Sequence, residues 1–323
     1  MFISREELEN SQIWIYVVSL LIGGAFGIFN ESMASKLEWT IPIIIAVLMY
    51  GMLAQIPFLK LREALSNSKF MFALTVGNFL AVPILVGFLI KIFPLSPPIL
   101  VGVCLVLLTP CIDYVIVFTQ LGKGNEKLIL AATPILFLLQ MILLPFYLFI
   151  FVGEEVVNIV KVGPFLEAFL FMIVIPLALA IITQLWASSS SKKSGEKFLK
   201  LSAWLPVPFM ALVLIVVVAT QIGKISNDFN AILKVIPIYV LYLIITPFIS
   251  KYLAFVFKLE FKAGRALVFS IGTRNSLVVL PLALALPNEW ATLAAAIIVT
   301  QTIVELIGEL VYIKAVPKLI KNR

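Results

Sequence analysis

The chain contains no histidine and only two cysteines in 323 residues. Without histidine it lacks the commonest metal ligand and acid–base catalyst. Cys104 and Cys111 share one predicted helix and stand about 10 Å apart along its axis, too far for a disulfide. Charge is scarce as well: Asp, Glu, Lys and Arg make up 13% of the chain, against about a quarter of a soluble domain. No CxxC, HExxH, GxSxG or phosphate-binding glycine loop occurs. An enzyme is not expected, nor is a cofactor. What the chain has is apolar surface: 62% of residues are hydrophobic and mean hydropathy is +1.12. That composition predicts an all-α polytopic membrane protein.

Apolar runs of spanning length fall at about 11–29, 38–58, 70–92, 98–119, 128–152, 163–186, 203–222, 233–257, 264–286 and 290–313. Ten spans put both termini on one side. Of the 24 Lys and Arg residues, 18 lie on that side, five lie on the other, and Arg274 lies within a span. This bias predicts cytoplasmic termini in a plasma (inner) membrane protein. It also explains the net charge of +7 without nucleic acid as a partner. The N-terminus is acidic (Glu6, Glu7, Glu9), unlike a cleavable signal peptide, so the first run is expected to be a retained span. The stretch from Ser188 to Lys197 reads as a flexible, solvated linker.

A weak internal repeat is present. Pro42 precedes Gln55-Ile56 at the same spacing as Pro208 precedes Gln221-Ile222. Pro83 precedes Cys111 at the same spacing as Pro247 precedes Asn275. These matches predict two five-span repeats, about 1–153 and 163–318, within one membrane unit. An odd number of spans per repeat makes them inverted, an arrangement suited to alternating access around a midplane site.

Polar residues interrupt the apolar runs at two matching places, Thr109-Pro110-Cys111-Ile112-Asp113 and Gly272-Thr273-Arg274-Asn275-Ser276. Non-helical backbone survives at such depth only beside protein or a water-filled cavity, and paired breaks point to a carrier's binding site. Pro110 removes a backbone donor, Cys111 offers a soft ligand, and Gly272 permits irregular backbone. Cys104 has no polar company and is expected to pack. Arg274 carries a permanent charge, Asn275 and Ser276 add hydrogen-bonding groups, and Asp113 is the expected partner of Arg274. Gln301, Glu305 and Glu309 form one stripe along the tenth span, a proton path or a wetted vestibule. Glu167 is expected to reach the interface. Asn78 and Gln140 are expected to hydrogen-bond between helices.

With these residues the chain resembles the bile acid/sodium symporter superfamily and, more narrowly, the arsenite efflux (arsenical-resistance) permeases. The resemblance rests on Pro110-Cys111, Val115-Ile116-Val117-Phe118, Leu121-Gly122-Lys123-Gly124-Asn125 and Val304-Glu305. It implies ten spans in inverted repeats, with crossing, broken spans 4 and 9. It also implies that Cys111 and Glu305 are functional, with Cys111 as metalloid ligand; the residues themselves make Asp113, Glu305 and Glu309 the expected proton carriers. Thr109, Pro110, Gly272, Arg274 and Asn275 would complete the substrate site. The implied activity is arsenite export, extending to antimonite, by proton antiport. The alternative is a carrier for a small organic anion with Arg274 as counter-charge. Sodium-coupled relatives carry acid-x-Gly-x-Gln-Asn in the ninth span, where this chain has Ser270-Ile271-Gly272-Thr273-Arg274-Asn275. Sodium coupling is therefore not expected.

Overall fold

Apolar runs that must satisfy their own backbone in lipid become helices, and helices make up the regular structure of the described residues. The computed structural model describes residues 5–60, 67–112, 114–153, 167, 169–188, 192–225 and 229–322. After a short helix at Arg5–Asn10, the main helices are α1 (Gln12–Phe29), α2 (Ile41–Gln55), α3 (Ser68–Ile92), α4 (Pro97–Leu107), α5 (Val115–Leu121) and α6 (Glu126–Val152). They continue with α7 (Leu170–Ser188), α8 (Lys192–Ser202), α9 (Pro206–Ile225), α10 (Phe229–Val256), α11 (Phe261–Gly272), α12 (Ser276–Leu284) and α13 (Asn288–Leu319). Among the described residues, seven helical stretches are long and apolar enough to cross a membrane. The chain is thus an all-helical, multi-pass membrane protein.

Two groups of helices emerge from the packing. Helices α1, α2, α7 and α9 pack on one another, with α1 against α9 as the most extensive pair. The other group gathers α3 to α6 with α10 to α13. Gly23 on α1 lets the first pair approach closely, since a Cβ there would lie 2.7 Å from the Ile215 carbonyl oxygen and 3.0 Å from its Cα. Both obstacles are backbone, which cannot rotate away. Gly23→Ala is therefore expected to destabilise the protein by about 1–3 kcal/mol, read as a lower thermal midpoint in detergent. An unchanged midpoint would mean that α1 and α9 can part without cost.

Local sequence explains the irregular elements. In α3 a wide turn at Gly77–Ala81 precedes Pro83, whose missing N–H would otherwise leave a gap in the helical ladder. Pro110 lacks a backbone N–H and disfavours helix at the residue before it, and α4 ends at Leu107, with Leu108 as its C-cap. The Thr109 hydroxyl caps the end by donating to the Leu105 carbonyl at 2.9 Å.

Two expectations need correction. The Ser188–Lys197 stretch is not wholly linker: from Lys192 it forms α8, while 189–191 lie outside the described residues. Phe198, Leu199 and Leu201 give this segment an apolar face, and it packs on α7. There the Trp186 and Phe198 rings lie 6.0 Å apart. Gln140 on α6 is buried, yet neither atom of its amide has a hydrogen-bond partner among the described residues. Glu167 is exposed.

Candidate functional site

The two breaks meet. Pro110 and Arg274 form an isolated antiparallel bridge. The Cys111 N–H donates to the Thr273 carbonyl at 3.1 Å, and the Asn275 N–H donates to the Thr109 carbonyl at 2.9 Å. Backbone groups that lose their helical partners thus find one another, as a buried peptide must. Four helix ends converge here: α4 and α11 end at the bridge, and α5 and α12 begin beyond it. Asn275 caps α12, its side-chain oxygen accepting from the Val278 N–H at 3.2 Å.

Arg274 is fully buried, among the largest such side chains in the chain. Its Nη2 donates to Asn78 Oδ1 at 2.5 Å and to the carbonyls of Ser270 and Ile271, each at 2.8 Å. Its Nη1 donates to the Leu107 carbonyl at 3.4 Å. The guanidinium carbon lies 5.7 Å from the centroid of the Tyr242 ring. Three of these acceptors are carbonyls at the C-terminal ends of α4 and α11, where the helix dipole favours a positive charge. Asn78, on the wide turn of α3, also donates to Ser270 Oγ at 3.2 Å and so holds two helices to the guanidinium. It makes the interhelical bonds expected of it.

A cation placed among these carbonyls would have to share them with the guanidinium. A second positive charge about 4 Å from the guanidinium would be repelled by about 4 kcal/mol at a typical effective dielectric. Asp113, the expected partner of Arg274, lies outside the described residues.

The stripe on α13 faces this junction. Glu305 and Glu309 are both 0% exposed. Glu305 Oε1 accepts from the Tyr114 hydroxyl at 2.7 Å. Its Oε2 accepts from the Arg274 backbone N–H at 2.7 Å and from Gln301 Nε2 at 2.5 Å. Glu309 Oε1 accepts from the Thr273 hydroxyl at 2.8 Å, and its Oε2 has no partner among the described residues. The two acids therefore sit in different surroundings, one held by three donors and the other by one.

Other expected site residues fall as follows. Thr109, Pro110, Cys111, Arg274 and Asn275 come together at the bridge, all buried. Gly272 needs correction: it is the last residue of α11 and does not have the left-handed backbone that favours glycine. Its role is space, because a Cβ there would lie 2.6 Å from Tyr312 Cε2. Both cysteines are buried thiols without a disulfide. Cys104 packs within α4, as expected. No group of three or more metal-ligating side chains occurs among the described residues.

Tyr114 escaped the sequence reading, since a tyrosine in a span usually marks an interface rather than a site. Its hydroxyl touches Glu305 Oε1 and lies 3.2 Å from the Arg274 carbonyl. Tyr114 also lines a cavity of about 310 Å³ between the two helix groups. Ile112, Tyr16, Met52, Thr133 and Met210 form further parts of its wall, and Arg5 is at its margin. The walls are mostly apolar, with a few polar groups, as in small-molecule sites generally.

A comparison with curated proteins finds no match. A family model matches residues 42–228, which include the first break but not the second. That is more than half of the chain, which belongs to the Sodium Bile acid symporter family of membrane transporters.

Proposed function

We propose that this chain is a sodium-independent secondary transporter that exports arsenite by proton antiport. The observation that carries the reading is the Arg274 guanidinium, which fills a carbonyl cage that a coupling cation would need. With that charge fixed, a proton exchanged at Glu305 becomes the natural coupling ion, with Glu309 and Asp113 as further carriers. Cys111 would contact the metalloid. Its backbone N–H takes part in the pairing of the breaks and it precedes Ile112 of the cavity wall in sequence, and trivalent arsenic favours soft sulfur ligands.

On this reading the ten spans form inverted repeats, about 1–153 and 163–318, in the plasma membrane. Both termini face the cytoplasm, and the cavity opens inward between two groups of helices that move against each other. Everted membrane vesicles test the proposal. An imposed proton gradient is expected to drive arsenite accumulation, a sodium gradient to drive none, and Cys111→Ser to remove it while the protein elutes as wild type. Full accumulation by Cys111→Ser would remove the thiol from the mechanism.

The cavity favours a second reading. Its mostly apolar wall and the cation Arg5 at its margin suit an amphipathic organic anion. A bile acid would then be carried, Cys111→Ser would be tolerated, and Arg5→Gln or Arg274→Gln would reduce transport.

A further inference from the structure

We infer that Tyr114 is the residue through which an occupant of the cavity acts on the buried Glu305. The inference rests on the proton-coupled reading above and gives it a physical link. A coupled carrier needs its substrate site and its proton site to sense each other. Here the cavity lies outside the junction of the breaks, and Glu305 lies inside it with no exposure. Tyr114 reaches both: it forms part of the cavity wall and its hydroxyl donates to the carboxylate at 2.7 Å.

The geometry makes this a latch. Tyr114 stands at the start of α5, immediately before its first residue, and Glu305 is in the middle of α13. The hydroxyl bond therefore ties the first break to α13, beside the tie between the Arg274 N–H and the same carboxylate. The Tyr114 ring is held edge-on to Phe118, with centroids 5.9 Å apart, so the side chain cannot swing without disturbing α5. An occupant pressing on Ile112 and Tyr114 would shift the hydroxyl. Protonation of Glu305 would, in turn, convert Oε1 from a charged to a neutral acceptor and weaken the same bond. Either event biases the other through one contact. The ionisable neighbours of Glu305 are Arg274, Glu309 on the same helix, and Tyr242 and Tyr312 from α10 and α13. Asp113 lies outside the described residues.

A substrate-free experiment tests the latch. Ile112→Cys, in a chain with Cys104→Ser and Cys111→Ser, places a thiol on the cavity wall. Its alkylation rate is measured from mildly acidic to mildly alkaline pH, each value divided by that of the denatured protein at the same pH. The ratio is expected to change with pH, and to become flat when Tyr114→Phe or Glu305→Gln is added. A ratio that is flat in the parent, or that keeps its pH dependence in either variant, overturns the inference. If Tyr114→Phe fails to fold, Glu305→Gln alone decides.

Proteoliposomes then supply the functional arm. Tyr114→Phe should lose about tenfold more in gradient-driven accumulation than in arsenite exchange at equal pH, the effect of removing one hydrogen bond to a charged group. Loss of both together would make Tyr114 merely structural. If the wild-type chain, with Cys111 intact, moves no arsenite under any gradient, the proposed substrate fails, while the alkylation result still decides the latch.

Discussion

Replacing Arg274 by glutamine is expected to cost the folded protein about 3–5 kcal/mol, the usual cost of removing one partner from a buried, compensated set of charges. The guanidinium serves four acceptors: Asn78 Oδ1 and the carbonyls of Ser270, Ile271 and Leu107. Glutamine is shorter and has one amide group, so several of these acceptors would be left without a donor in a site closed to water. The negative ends of α4 and α11 and the carboxylate of Glu305 would also lose a neighbouring positive charge. A lower thermal midpoint in sodium-free detergent solution, together with loss of gradient-driven transport, is the expected result.

The same variant carries a second consequence. Without the guanidinium, the freed carbonyls become a possible set of oxygen ligands for a small cation. Glutamine is also the residue of the sodium-coupled pattern at this position. Sodium should therefore raise the midpoint of Arg274→Gln, as any ligand selective for the native state does, and leave the wild type unchanged. Choline at equal ionic strength is the control. An Arg274→Gln protein as stable as the wild type in sodium-free buffer would show that the guanidinium is not needed to hold the junction together, and the fixed-cation reading would fall.

Much of this was legible in the sequence, and the reasons are physical. Pro110 and the polar runs around it and around Arg274 stand out because polar residues are rare and costly inside an apolar span. The structure does interrupt its helices at both places and pairs the breaks. Glu305 and Glu309 were legible as one stripe by their helical spacing, and both do face the junction. The surroundings of Arg274 were not legible. Three of its acceptors are backbone carbonyls, which every residue has, and which helix ends will meet is a matter of tertiary packing. Tyr114 was hidden for a related reason: only the fold brings its hydroxyl to Glu305. Gly272 was read as a conformational device but serves to admit the Tyr312 ring, a long-range contact with no local signature. The polar Ser and Lys residues of 188–197 masked the apolar face that makes α8 a helix.

Glu305→Gln is expected to fold like the wild type and to lose coupled transport. The amide can keep the local hydrogen bonds. Its oxygen can take the Oε2 position, where the Arg274 N–H and Gln301 Nε2 both donate. Its nitrogen then faces Tyr114, whose hydroxyl can accept from it and turn its own proton to the Arg274 carbonyl, 3.2 Å away. What the amide cannot do is bind and release a proton. Exchange of substrate at equal pH should therefore survive, while accumulation against a gradient falls by about tenfold or more, since tenfold corresponds to only about 1.4 kcal/mol of lost coupling. The rate should also lose its dependence on pH if Glu305 is the group that sets it. Glu309→Gln is the informative comparison, because Glu309 has one donor and an oxygen without a partner among the described residues. If Glu305→Gln still accumulates substrate under a proton gradient while Glu309→Gln does not, the exchanged proton belongs to Glu309. Glu305 would then be the fixed anion that holds Tyr114 and the Arg274 backbone in place.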